Sequence, residues 1–106
     1  MATEKMPDWY RSVRKRHKKC LDALERLGKA VREEGPLDEK TSHLIQLAAA
    51  ASIRSEGSVH SHARRAIQAG ATADEIYHTL MLLTSTVGFP IVSAALSWVQ
   101  EIVDQG

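Results

Sequence analysis

Apolar residues recur at three- and four-residue spacing along most of the chain, and strict alternation never persists. The first such stretch, residues 7–34, places Val13, Cys20, Leu24, Leu27 and Val31 on one helical face. Pro7 suits a first helical turn, where its missing N–H removes no bond, and Asp8 puts negative charge at the positive helix end. Asp22 with Arg26, and Glu25 with Lys29, are acid-before-base pairs one turn apart. Gly35-Pro36 closes the stretch.

A second helix is predicted from Asp38, a good N-cap, to about residue 54. Across residues 44–53 only Gln46 and Ser52 are polar, and a helix apolar all round is normally buried all round. Gly57 predicts a break or bend. A third helix follows over residues 58–69, with Ser58 as its N-cap and Gly70 just past its end. Thr72-Ala73-Asp74-Glu75 reads as a capping box opening a fourth helix over residues 73–86, with Ile76, Leu80 and Leu83 on one face. Gly88-Phe89-Pro90 interrupts. A fifth helix over residues 90–104 carries Ile91, Ala95, Trp98 or Val99, and Ile102. The predicted fold is all-α, with about five helices and short linkers that favour antiparallel neighbours.

Composition narrows the setting. The 106 residues suit one domain, and the formal net charge of +1 gives no general pull toward nucleic acid or membrane. The single cysteine, Cys20, cannot form a disulfide within one subunit, which fits a reducing compartment. Residues 1–5 have no apolar stretch behind them, unlike a secretory signal, and no apolar run approaches the roughly 18 residues of a membrane span. A cytoplasmic protein is expected. The basic run of Arg11, Arg14, Lys15, Arg16, His17, Lys18 and Lys19 spreads around its helix without aromatic interleaving, so it reads as a solvated face and not a nucleic-acid site. His17 and His78 read as surface residues. Trp9, Tyr10, Tyr77, Phe89 and Trp98 read mostly as packing residues.

Chemistry concentrates in residues 55–62. Ser58 and His62 lie one turn apart on one helical face, and Ser55 joins them if the helix starts early. Val59, Ala63, Ala66 and Ile67 make the apolar stripe, with His62 on its flank and so at least partly buried. His60 points about 160° away from His62. That angle opposes a metal site built from His43, His60 and His62. No metal or cofactor is expected.

The stretch over residues 37–103 resembles the carboxymuconolactone decarboxylase family, which includes the alkylhydroperoxidase D-like proteins. The helix start Gly35-Pro36-Leu37-Asp38-Glu39-Lys40-Thr41 carries part of the likeness, as does the alanine-rich Leu44-Ile45-Gln46-Leu47-Ala48-Ala49-Ala50. The most specific piece is His62-Ala63-Arg64-Arg65-Ala66-Ile67-Gln68-Ala69-Gly70-Ala71-Thr72-Ala73-Asp74-Glu75-Ile76. Val87-Gly88-Phe89-Pro90 with Ala94-Ala95-Leu96 completes it. The resemblance implies an alkylhydroperoxidase D-like helical fold for residues 1–106 as one domain, residues 1–36 being an N-terminal helix and residues 37–103 the family core. It also implies a homo-oligomer, a hexamer or a trimer. Five short helices would struggle to hide an all-round apolar helix without neighbours.

The redox branch of that family carries Cys-x-x-Cys-x-x-x-His with a glutamate one helix earlier. Aligned on the histidine, His62, those cysteines fall on Ser55 and Ser58, and the glutamate falls on His43. A serine hydroxyl can neither attack a peroxide as a thiolate does nor resolve a sulfenic acid, so dithiol peroxidase activity is not expected. The decarboxylase branch also lacks the cysteines and keeps the histidine. By that resemblance His62 is the candidate proton shuttle and His43 a second acid/base or orienting group. Ser55 and Ser58 become candidate donors to a substrate oxygen. Arg54, Arg64 and Arg65 become candidates for holding a carboxylate. Two classes stay open: an enzyme doing acid/base chemistry on a small carboxylate or lactone, and a non-catalytic oligomer that binds a small molecule or serves as a scaffold. The distance between the His43 and His62 rings is the observation that weighs most.

Overall fold

A computed structural model describes residues 6–105, which contain seven helices and no strand. Residues 1–5, which bear on the secretory signal, lie outside the described residues. The chain falls into two compact units, divided between Pro36 and Leu37.

In the first unit the single long helix predicted for residues 7–34 is two helices, α1 (Asp8–Arg16) and α2 (Lys18–Glu33). His17 separates them with φ −127° and ψ 50°. Six cations crowd residues 11–19, and like charges on one helix repel. The break lets one of them reach acids far along the chain. Arg14 meets Asp22 at 3.1 Å and also pairs with Glu25. On a straight helix those partners would lie about 12 and 16 Å away along the axis. Asp22 also pairs with Lys18 at 2.6 Å, so both acids have basic partners other than the Arg26 and Lys29 expected from spacing. The apolar stripe exists but is open: Leu24, Leu27 and Val31 are each more than half exposed, Cys20 is exposed, and Leu21 is the buried residue of α2.

The second unit holds the core. Its helices are α3 (Glu39–Ser52), α4 (Glu56–Gln68), α5 (Ala73–Met81), the single turn α6 (Thr84–Val87) and α7 (Phe89–Gln105). Asp38 caps α3 as predicted, its carboxylate accepting from the Thr41 N–H at 2.7 Å. The capping box of α5 is present: Thr72 Oγ1 accepts from the Glu75 N–H at 3.1 Å, and Glu75 Oε1 accepts from the Thr72 N–H at 2.9 Å. The other Glu75 oxygen takes Lys40 at 3.0 Å, tying the start of α5 to α3. The predicted fourth helix ends early, at Met81. The Leu83 N–H bonds Leu80 O, three residues back, and the hydroxyls of Thr84-Ser85-Thr86 favour a tight turn over a continuous helix.

The core is an interdigitated set of Leu47, Ala50 and Ala51 from α3, Val59, Ala63 and Ala66 from α4, Ile76 and Leu80 from α5, and Ala95, Val99 and Ile102 from α7. Alanines on α3, α4 and α7 bring backbones close, and the fully buried Leu47, Ile76, Leu80 and Val99 supply most of the apolar volume. Each such side chain contributes about 1.5–3 kcal/mol relative to exposure. On α7 Val92 faces inward and Ile91 sits at the edge, one position off the predicted stripe. Helix α3 is not buried all round. His43, Leu47, Ala50 and Ala51 face in, while Ile45 and Ile53 are exposed. Trp9 and Phe89 are exposed too, so they are not packing residues within this chain, whereas Tyr77 and Trp98 pack on the core edge.

Two helices end in the same way. After α4, Gly70 N–H bonds Ile67 O and Ala71 N–H bonds Ala66 O, at 3.0 and 2.9 Å, with Gly70 at φ +103°. After α3, Arg54 N–H bonds Ala51 O and Ser55 N–H bonds Ala50 O, both at 3.0 Å, with Arg54 at φ 58°. Both are Schellman turns, which satisfy the last helical carbonyls through a left-handed residue.

Candidate functional site

The Arg54 turn hands the chain from α3 directly into α4, and these two helices make the most extensive packing in the protein. The chain is already winding at Ser55, whose carbonyl accepts from the Val59 N–H at 2.9 Å. Ser55 is therefore the N-cap residue of α4, without a side-chain capping bond, and Ser58 lies inside the first turns. Gly57 does not break the chain. It sits within α4 at ordinary helical φ, and a Cβ there would meet open space.

Two imidazoles meet where α3 faces α4. His43 is 1 % exposed, and His62 is half-buried. Their Nδ1 atoms lie 3.3 Å apart, with ring centroids at 5.6 Å and ring planes at 37°. At that distance one ring donates an Nδ1–H and the other accepts with its lone pair. A first added proton leaves that N–H···N contact intact and makes it charge-assisted. A second would set two N–H groups against each other. Such a contact can share one proton between two rings. Glu39, one turn before His43 on α3, brings Oε1 to 3.9 Å from His43 Nε2. Glu39 is largely exposed, so it lends the pair a screened negative charge and no firm bond. The spacing Glu39-x-x-x-His43 was a readable signal for this acid.

The remaining candidates stand at different distances from that centre. Ser58 is half-buried and lies one turn before His62 on the same helix, and Ser55 is half-buried at the α4 start. Arg65, half-buried, is about 60° round α4 from His62, while Arg64 is about 200° round, on the far side. Burial, reinforced by the charge of Arg65, pulls the Arg64 guanidinium below its ordinary pKa. Of these two, Arg65 is the one on the His62 side. Arg54 is exposed at the turn. His60 points to α7, not α3, so His43, His60 and His62 do not converge. His17 and His78 are exposed, as expected.

The all-helical fold is shared with known proteins. Residues 19–101 match the carboxymuconolactone decarboxylase family, and the chain belongs to it. The match reaches back into α2, beyond the core expected to begin at residue 37. A carboxymuconolactone decarboxylase family protein from Legionella pneumophila is similar in structure, with a TM-score of 0.75 at 25% identity, covering 96% of this chain and 94% of that one. Another family protein, from Thermotoga maritima, has a TM-score of 0.71 at 24% identity, covering 92% of each chain. No curated protein matches the sequence significantly.

Proposed function

We propose that this protein is an acid/base enzyme acting on a small carboxylate or lactone, with His62 as the proton shuttle and His43 as its proton-sharing partner. The observation that carries this reading is the 3.3 Å contact between the two Nδ1 atoms. Histidine changes charge near neutral pH, and a second imidazole in contact can store the proton between steps. The half-burial of His62 suits it to meet a substrate, and the burial of His43 suits it to back that ring. In a decarboxylation the bond to the carboxylate carbon breaks, and its electron pair stays on the substrate, delocalised into a conjugated carbonyl such as a lactone provides. The protonated pair then returns a proton to carbon, and carbon dioxide leaves. Ser55 and Ser58 precede His62 along the chain and, in this reading, donate to the carbonyl oxygen as charge develops there. Arg65 is the first choice for the substrate's anionic group, with Arg54 at the turn as the second. Thiol peroxidase chemistry has no dithiol to run on at this site.

The exposed Leu24, Leu27, Val31, Ile45, Ile53 and Phe89 support assembly of several chains into a homo-oligomer, a trimer or hexamer. A non-catalytic binder or scaffold built on the same assembly is the alternative. A panel of carboxylated lactones and keto acids, followed by carbon dioxide release and by NMR of the His62 ring, separates the two. Turnover that falls at least about 100-fold in His62→Gln supports the enzyme. Perturbation of the ring by a ligand with no product from any member of the panel supports the binder and defeats the enzyme. Sedimentation as a monomer at micromolar concentration defeats the assembly.

A further inference from the structure

Helix α4 carries a second imidazole with a different neighbour. His60 Nε2 lies 3.3 Å from Glu101 Oε2 on α7. Glu56, one turn before His60, reaches the same place, so that one donor atom from each of Glu56, His60 and Glu101 lies within 4.8 Å of the other two. The His60 Nε2 atom is sealed from solvent yet makes no hydrogen bond, since its approach to Glu101 has the distance of an ion pair without hydrogen-bond geometry. Two carboxylates and one imidazole nitrogen thus bring three possible ligand atoms to one place. Nothing else in the functional reading uses these residues.

We propose that Glu56, His60 and Glu101 form a binding site for a divalent transition-metal ion of the zinc class, clamping the start of α4 to the end of α7. One imidazole nitrogen with two carboxylate oxygens suits zinc and its first-row neighbours, whereas magnesium and calcium prefer oxygen alone. Bonds of about 2.0–2.2 Å in a tetrahedron set ligand atoms about 3.4 Å apart. The His60–Glu101 side of the triangle is already at 3.3 Å. The other sides close by rotation of Glu56, whose side chain is exposed. The backbones are held meanwhile by Val59 and Ala63 on one side and Val99 and Ile102 on the other, all in the core. Water completes the coordination. The site lies on the opposite face of α4 from His62 and is independent of the acid/base reading.

The test is titration of the full chain with Zn²⁺ against a chromophoric chelator, with wild type, Glu56→Gln, Glu101→Gln, His60→Gln and His62→Gln compared. One ion per chain is expected, held at least about tenfold more weakly by either glutamine variant at 56 or 101, released by His60→Gln, and unaffected by His62→Gln or by excess Mg²⁺. Zn²⁺ should also raise the melting temperature of wild type and not of the Glu56→Gln/Glu101→Gln double variant. Both glutamates are exposed, so their variants keep the fold even if His60→Gln does not. Affinity indifferent to the two glutamates, or lost with His62→Gln instead, overturns the site.

Discussion

The turns that end α3 and α4 use the same pair of backbone hydrogen bonds, but one is made by Gly70 and the other by Arg54. A left-handed backbone is nearly free for glycine and costs roughly 1–2 kcal/mol for a residue with a Cβ. The cheap residue closes α4 at an ordinary connection. The costly one stands at the turn leading into the helix that carries Ser58 and His62. The shape of such a turn is therefore fixed by the helices on either side of it and by their buried carbonyls. The residue at the left-handed position tunes only its cost, and at the α3 end that cost leaves an exposed cationic side chain next to Ser55 in the chain.

The most severe way to break the pair is to remove what both turns are fastened to. Leu47 is fully buried among α3, α4 and α5 residues, so Leu47→Ala should lower unfolding free energy by about 2–5 kcal/mol in denaturant titration. Next is Gly70→Ala, which keeps the hydrogen bonds and adds the left-handed penalty of roughly 1–2 kcal/mol. A melting temperature equal to wild type would contradict the φ of +103°. The converse change, Arg54→Gly, should raise stability by about 0.5–1 kcal/mol, part of the gain being offset by the freer unfolded chain. If Arg54 helps to hold a substrate carboxylate, the same variant raises KM while leaving kcat nearly unchanged, and a KM equal to wild type removes it from the site.

The smallest effect concerns helix starts and acid. Backbone N–H bonds, from Thr41 to Asp38 and from Thr72 to Glu75, together with Lys40 beside Glu75, hold both carboxyls below their ordinary pKa. A depressed folded-state value means the unfolded chain binds more protons in the interval below the ordinary carboxylate range. The stabilisation is therefore complete above that range and lost as pH falls through the depressed values. Glu75→Gln should flatten the acid limb of a stability–pH curve below about pH 4 while changing little at pH 7. An acid limb as steep as that of wild type would remove Glu75 from the account.

What could be read from the chain and what could not divides along the same line. Asp38, Thr72, Glu75 and Gly70 were legible because each signals through its own chemistry. The end of α3 near residue 54 agrees with the sequence, but the start of α4 differs: Gly57 signals a break, whereas Arg54, which carries no such signal, adopts the left-handed backbone and α4 starts by Glu56. The kink at His17 was hidden for a similar reason: it follows from ion pairs between residues 8 and 11 apart, a spacing that no helical pattern reveals. At the candidate site, the residue types at 43, 55, 58 and 62 and the opposition of His60 and His62 followed from spacing and resemblance. The contact of His43 with His62 did not, because it depends on how deeply α3 and α4 nest. Helix geometry then separates Arg65 from Arg64, a distinction that the adjacent pair conceals in a linear reading.

Helix α1 has no buried residue and leads, through the His17 break, into Lys18 and Lys19. Six trypsin-sensitive bonds thus follow basic residues in or beside a helix that is tied to α2 by the ion pairs of Arg14 and by no buried side chain of its own. Brief digestion should trim the chain there before the alanine-rich core is touched. A cut after Lys19 would leave a fragment beginning at Cys20, one residue from where the family match starts, so a protease would find nearly the same boundary.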